Sequence, residues 1–130
     1  MVAMAGTYNF VSQDNFDKYL SAAGVGTIHR MAVTKTKPDI VVEVSGDTYT
    51  FTTKTAIKDV KISFTLAKEY ECDPGTGRVA KYLTTMEGDT LITKEVGDPE
   101  SVATRKFTDS ELVMTMTTKG VTATRTFKRA

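Results

Sequence analysis

The closing stretch "ATRKFTDSELVMTMTTKGVTATRTFKRA", residues 103–130, contains two turns from which the fold can be read. At the two-residue period of a strand, Val121, Ala123, Arg125, Phe127 and Arg129 point one way, and Thr122, Thr124, Thr126 and Lys128 the other. A two-residue turn at Asp109–Ser110 sets Met114 opposite Arg105, and a second at Lys119–Gly120 sets it opposite Arg125. The neighbours agree, with Leu112 between Phe107 and Phe127 and Met116 between Ala103 and Ala123. The opposite parity carries Thr104, Lys106, Val113, Thr115, Thr122 and Thr124. Three consecutive strands therefore share one apolar face. Two arginines lie in it, one strand apart on either side of Met114, with backbones roughly 9 to 10 Å apart.

A guanidinium stays charged at any accessible pH, and burying it unpaired costs several kcal/mol. The sequence offers few interior partners: Glu111 has the outward parity, and Glu43 alternates against Ile40, Val42 and Val44. One such arginine is best read as paired with a carboxylate that the sequence does not place, or as a face assignment out by one residue. Two at matched registers favour an interior anion site, met by a ligand carboxylate through charge-assisted hydrogen bonds or water.

Working back along the chain, one helical episode interrupts a β sequence. Phe16, Tyr19, Leu20 and Ala23 recur at helical spacing behind Ser12 and Asp14 as candidate caps; Gly24 and Gly26 break the pattern, and Ile28, Met31 and Ala32 resume it. That spacing predicts two short helices joined by a tight turn. After Pro38, threonine- and valine-rich stretches are punctuated by "SGD", "IKD", "DPGTG", "EGD", "GDPE", "TDS" and "TKG". Turns about every ten residues predict a meander of antiparallel strands closing as a barrel or sandwich.

Composition narrows the function. A chain of 130 residues, 40% hydrophobic and 25% charged, is expected to form one domain over 1–130. Seventeen basic against sixteen acidic residues leave no global field of the kind that marks a nucleic-acid binder. The single cysteine, Cys72, allows no internal disulfide, and "MVAMAGTYNF" is too short and polar for a signal peptide, so the expected location is the cytoplasm. The sequence offers no nucleotide-binding glycine motif, zinc spacing or nucleophile elbow, and His29 is the only histidine. "DPGTGR" at 73–78 reads as a hairpin loop rather than a phosphate cradle. No enzyme activity, metal or cofactor is expected.

Taken together, "GTYNFVSQDNFDKYLSAAGVGTIHRMAVTKTKP" (6–38), "GDTYTFTTKTAIKDVKISFTL" (46–66), "TRKF" (104–107) and "TRTFKR" (124–129) resemble the intracellular lipid-binding proteins, which comprise the fatty-acid-binding and cellular retinoid-binding proteins. The fatty-acid-binding branch is the more similar. The resemblance implies an all-β fold, a ten-stranded antiparallel up-and-down β-barrel (β-clam) with a helix-turn-helix lid near the N-terminus. It also implies a monomer that binds and transports a long-chain fatty acid or similar hydrophobic carboxylate, non-covalently, in an internal cavity. The family's anchoring arginine, arginine and tyrosine fall on Arg105, Arg125 and Phe127, so the third position keeps its ring and loses its hydroxyl. Both arginines being present argues against a retinol-like alcohol, for which relatives carry glutamine.

The resemblance further places Phe16, Tyr19, Leu20, Val25, Arg30, Val33 and Pro38, and Ile57 with Lys58, at lid and entrance positions. Ile57 stands where many relatives carry an aromatic gate, and Lys35 where many carry an apolar residue. With Ala103, Met114 and Met116, these are the candidate ligand contacts, although amphipathic spacing at Phe16, Tyr19 and Leu20 serves core packing equally well. Lys18, Arg30, Lys35 and Lys37 would make a weakly basic lid for transient contact with anionic membranes, or are simply solvated. The alternatives are a retinoid or bile-acid carboxylate carrier, or a barrel that acts as a protein-interaction scaffold without a lipid.

Overall fold

The structure, a computed structural model, describes residues 3–55, 59–73 and 79–130. Its strands are β1 (Gly6–Asp14), β2 (Asp39–Ser45), β3 (Thr48–Lys54), β4 (Asp59–Thr65), β5 (Tyr70–Cys72), β6 (Ala80–Glu87), β7 (Thr90–Glu95), β8 (Asp98–Phe107), β9 (Glu111–Thr118) and β10 (Val121–Arg129). Between β1 and β2 lie α1 (Phe16–Ala22) and α2 (Thr27–Thr34). The ten strands form one antiparallel sheet in the order β4-β3-β2-β1-β10-β9-β8-β7-β6-β5. This is the expected up-and-down barrel with its helical lid. The ring is closed by β1 against β10, and β4 and β5 are its two edges.

The inferred register holds across the last three strands. Met114 pairs with Arg105 and Arg125, Leu112 with Phe107 and Phe127, and Met116 with Ala103 and Ala123. Lys119 and Gly120 sit at φ 48° and 78°, the two left-handed residues of the tight turn that sets this pairing. The alternation buries Phe107, Leu112, Ala123 and Phe127 almost completely.

The lid differs in detail from its sequence reading. Ser12 and Asp14 belong to β1; α1 begins after Asn15, which adopts a left-handed φ of 62° and donates its side-chain amide to the Thr122 carbonyl at 2.8 Å. A helix entered from a left-handed residue leaves no extended cap for a serine or aspartate to fill. Phe16 and Leu20, one turn apart, are buried with Val25, Met116 and Ala123, which fixes α1 across the barrel mouth. On α2, Ile28 and Met31 face out, 86% and 51% exposed, so their helical spacing marks a solvent-facing side. Arg30 tethers α2 to α1, donating Nε to Asp17 at 2.8 Å and Nη1 to the Val25 carbonyl at 3.1 Å. No helix among the described residues is long and apolar enough to cross a membrane.

At the other end, the chain termini are strapped together. Arg129 donates to the carbonyls of Ala3, Ala5 and Asp109 and to the Tyr8 hydroxyl, which itself donates to the Met4 carbonyl at 2.8 Å. Gly6 makes room for this strap, since a Cβ there would lie 2.8 Å from Arg129 Nη1.

Candidate functional site

The barrel encloses a cavity of about 1110 Å³, open beneath the lid. Small-molecule sites commonly span ~300–1,000 Å³, so the space holds a long apolar chain with room left for water. From the lid, Phe16, Tyr19, Leu20 and Val33 line it; Pro38 joins from the start of β2, and Ala103, Met114 and Met116 from β8 and β9. Arg105 and Arg125 also line it, each only 8% exposed. Two expected contacts lie behind this surface. Val25 is packed into the α1 cluster, and Phe127, fully buried, meets Phe10 edge-on at 5.7 Å. Ile57 and Lys58 lie outside the described residues.

Each arginine is seated over rings of its own. The Arg105 guanidinium lies 4.8 Å from the Phe51 centroid and 5.9 Å from that of Phe64, and Nη1 donates to Thr93 Oγ1 at 2.9 Å. The Arg125 guanidinium lies 4.3 Å from Phe16, 5.4 Å from Phe10 and 5.5 Å from Phe127. Among the described residues, Nε of Arg105 and both Nε and Nη2 of Arg125 are buried without a hydrogen-bond partner. Burial lowers the pKa of both groups; that of Arg125 falls to about 10, while Tyr70, Cys72 and Tyr19 partly oppose the shift at Arg105. A cation over a desolvated ring gains about 2 kcal/mol or more, which offsets only part of the several kcal/mol for burying the ion while its N–H donors stay unpartnered. The balance favours taking up an anion.

Several polar groups at the site were not singled out by the sequence. Thr93 Oγ1 is 2.8 Å from Thr84 Oγ1, which is 2.7 Å from the Tyr70 hydroxyl, and Tyr70, Cys72 and Thr93 all line the cavity. Thr93 faces Ala103 across the β7–β8 ladder, but that ladder shifts register at Glu95, so the "GDPE" turn could not be counted through. Tyr70 stands on a three-residue strand, too short for alternation to show. Burial pushes the Cys72 thiol up, with Arg105 opposing. No group of three or more potential metal ligands occurs among the described residues.

Comparison with known proteins agrees with this architecture. The model of the lipocalin / cytosolic fatty-acid binding protein family matches residues 2–130. A fatty acid-binding protein of Lepidoglyphus destructor is 35% identical over 131 residues, covering 100% of each chain. Sodium/calcium exchanger regulatory protein 1 of Doryteuthis pealeii is 32% identical over 126 residues, covering 97% of this chain and 96% of that one. The solved fatty acid-binding protein from brain tissue of Drosophila melanogaster superposes with a TM-score of 0.89 at 35% identity, covering 97% of this chain and 99% of its own. With this barrel, this lid and relatives aligned over nearly their whole length, the chain belongs to the lipocalin / cytosolic fatty-acid binding protein family.

Proposed function

We propose that the protein is a carrier, one binding unit over residues 1–130, that holds a long-chain fatty acid or similar hydrophobic carboxylate non-covalently in the cavity. The supporting observation is the pair of buried guanidinium groups with unpartnered N–H donors on the wall of the cavity. A carboxylate would supply the missing charge and acceptors, while the acyl chain would lie against Phe16, Tyr19, Met114 and Met116. The fatty acid-binding relatives support the same ligand class. The carrier works as a cytoplasmic monomer, and the exposed Ile28 and Met31 of α2 suit transient contact with a membrane during transfer.

Calorimetric titration of oleate and of oleyl alcohol into delipidated protein tests this reading. Saturable oleate binding at micromolar or tighter Kd, with the alcohol at least tenfold weaker, is expected from loss of charge-assisted hydrogen bonds. Equal affinities would remove the anion-site claim, and no binding of either would remove the carrier claim. The exchanger-regulating relative favours a second reading, in which the barrel acts on a protein partner; that reading would gain if neither ligand bound.

Cys72 reports on occupancy. Its raised pKa and half-buried position predict slow alkylation by iodoacetamide at pH 7.5, slowed several-fold more by saturating oleate. A rate indifferent to oleate would place the ligand away from β5.

A further inference from the structure

The two arginines are not equivalent as seats for an anion. Arg125 is surrounded by Phe10, Phe16 and Phe127, so a carboxylate arriving there meets one cation and three rings with no hydroxyl among them. On the other side of Met114, Arg105 is the head of a chain of hydroxyls: Arg105 to Thr93 at 2.9 Å, Thr93 to Thr84 at 2.8 Å, Thr84 to Tyr70 at 2.7 Å. A guanidinium only donates, so the Thr93 oxygen accepts; each hydroxyl has one proton and two lone pairs, and either oxygen can donate in the two contacts that follow. When Thr93 donates to Thr84 and Thr84 to Tyr70, the phenol proton is free for an acceptor in the cavity that Tyr70 lines. Tyr70 is the half-buried end of the chain, whereas Thr84 is fully buried and Thr93 7% exposed. Burial raises the phenol pKa, which keeps that proton in place at neutral pH.

Tyr70 and Arg105 also share a floor. The Tyr70 ring stacks on Phe64 at 5.3 Å, the same ring over which the Arg105 guanidinium lies, and the buried Arg105 Nε lacks a partner. We infer that the ligand carboxylate is held between Arg105 and Tyr70, so that a phenol on β5 supplies the hydroxyl that position 127 lacks. Thr84 and Thr93 are positioning residues that aim it. This rests on the carrier reading above and names the side of the cavity that reads the head group.

The test is titration of oleate and oleyl alcohol into wild type, Tyr70→Phe, Thr84→Val and Thr84→Ser. Tyr70→Phe removes one oxygen and keeps the ring stack; it is expected to weaken oleate about tenfold while leaving oleyl alcohol within about twofold, as loss of a hydrogen bond to a charged group requires. Thr84→Val should reproduce that selective loss, and Thr84→Ser should restore it. Oleate held by Tyr70→Phe as tightly as by wild type overturns the inference and leaves the carrier reading standing. Equal losses for acid and alcohol also overturn it, since they assign Tyr70 a packing role. Failure of wild type to bind oleate overturns both.

Discussion

Replacing Arg105 with methionine is expected to weaken oleate binding by about one to two orders of magnitude, the loss of a charge-assisted pair at a buried guanidinium. The same change at Arg125 is expected to cost less affinity and to raise stability. Nε and Nη2 of Arg125 are buried without a hydrogen-bond partner, and burial is the cause of its lowered pKa, about 10. Replacing buried ion pairs by apolar side chains of similar volume is often neutral or stabilising, by about 1–4 kcal/mol, and an unpaired guanidinium has no Coulombic partner to lose. The fall of the Arg125 pKa from its ordinary value to about 10 corresponds to a penalty of about 3 kcal/mol, in the same range. The sign with pH follows from that shift. A base whose pKa is depressed by folding is charged, and unfavourable, at every pH below about 10, and its penalty is relieved only as pH rises through that value. The stability gain of Arg125→Met should therefore be flat between pH 5 and 9. Saturating oleate should narrow it, because the anion offsets the buried charge only when that charge is present. Urea unfolding of both proteins, with and without oleate, checks each point. A destabilised Arg125→Met would show that the guanidinium is a structural strut.

The second large effect lies at the strap. Gly6→Ala is expected to lower stability by about 2 kcal/mol or more, for two separable reasons. Gly6 has φ +148°, a region that side chains rarely adopt and that costs about 1–3 kcal/mol to impose. A Cβ there would also press on Arg129 Nη1, which bonds the Ala5 carbonyl at 3.0 Å. Moving Arg129 disturbs its donors to Ala3, Asp109 and Tyr8 together, because one rigid guanidinium supplies them all. A double-mutant cycle with Arg129→Met separates the two reasons. In that background the steric part disappears and Gly6→Ala should cost only the backbone part. Strict additivity would mean that the methyl and the guanidinium never meet.

The parts that could be read from sequence are those with tight turns and unbroken alternation. The Asp109–Ser110 and Lys119–Gly120 turns fixed the pairing of β8, β9 and β10, and with it the placing of Arg105 and Arg125 on one interior wall. What escaped depended on side-chain direction and on irregular backbone. Parity brings the arginines to the same face but does not say over which rings they fold, and the two guanidinium groups lie over separate ring sets. Parity also placed Phe127 inward without distinguishing a wall from its lining. The helical spacing of Ile28 and Met31 falls on a side that the structure leaves in solvent; α2 is held through Arg30, Val33 and the Thr34 carbonyl, which accepts from Gln13. The Tyr70–Thr84–Thr93 chain joins neutral hydroxyls on three strands to an arginine on a fourth, and no local pattern announces such a join.

The closure of β1 on β10 also bears on how the chain folds. Most ladders join strands that follow one another, and β1 with β2 spans only the lid, but Tyr8 and Arg129 meet across 121 positions. Loop-closure entropy grows only as the logarithm of length, so this junction costs about 2 kcal/mol more than a ten-residue hairpin does, and it returns nothing until nearly all the other ladders are in place. Hairpins can zip locally from β6 through β10; the ring then shuts in one late, slow step. During synthesis β1 emerges first and must wait for the strand made last. Asn9, Ser12, Gln13 and Asp14, with an irregularity in the ladder between Phe10 and Ser12, give that waiting edge the polar and uneven character that discourages other chains from pairing with it.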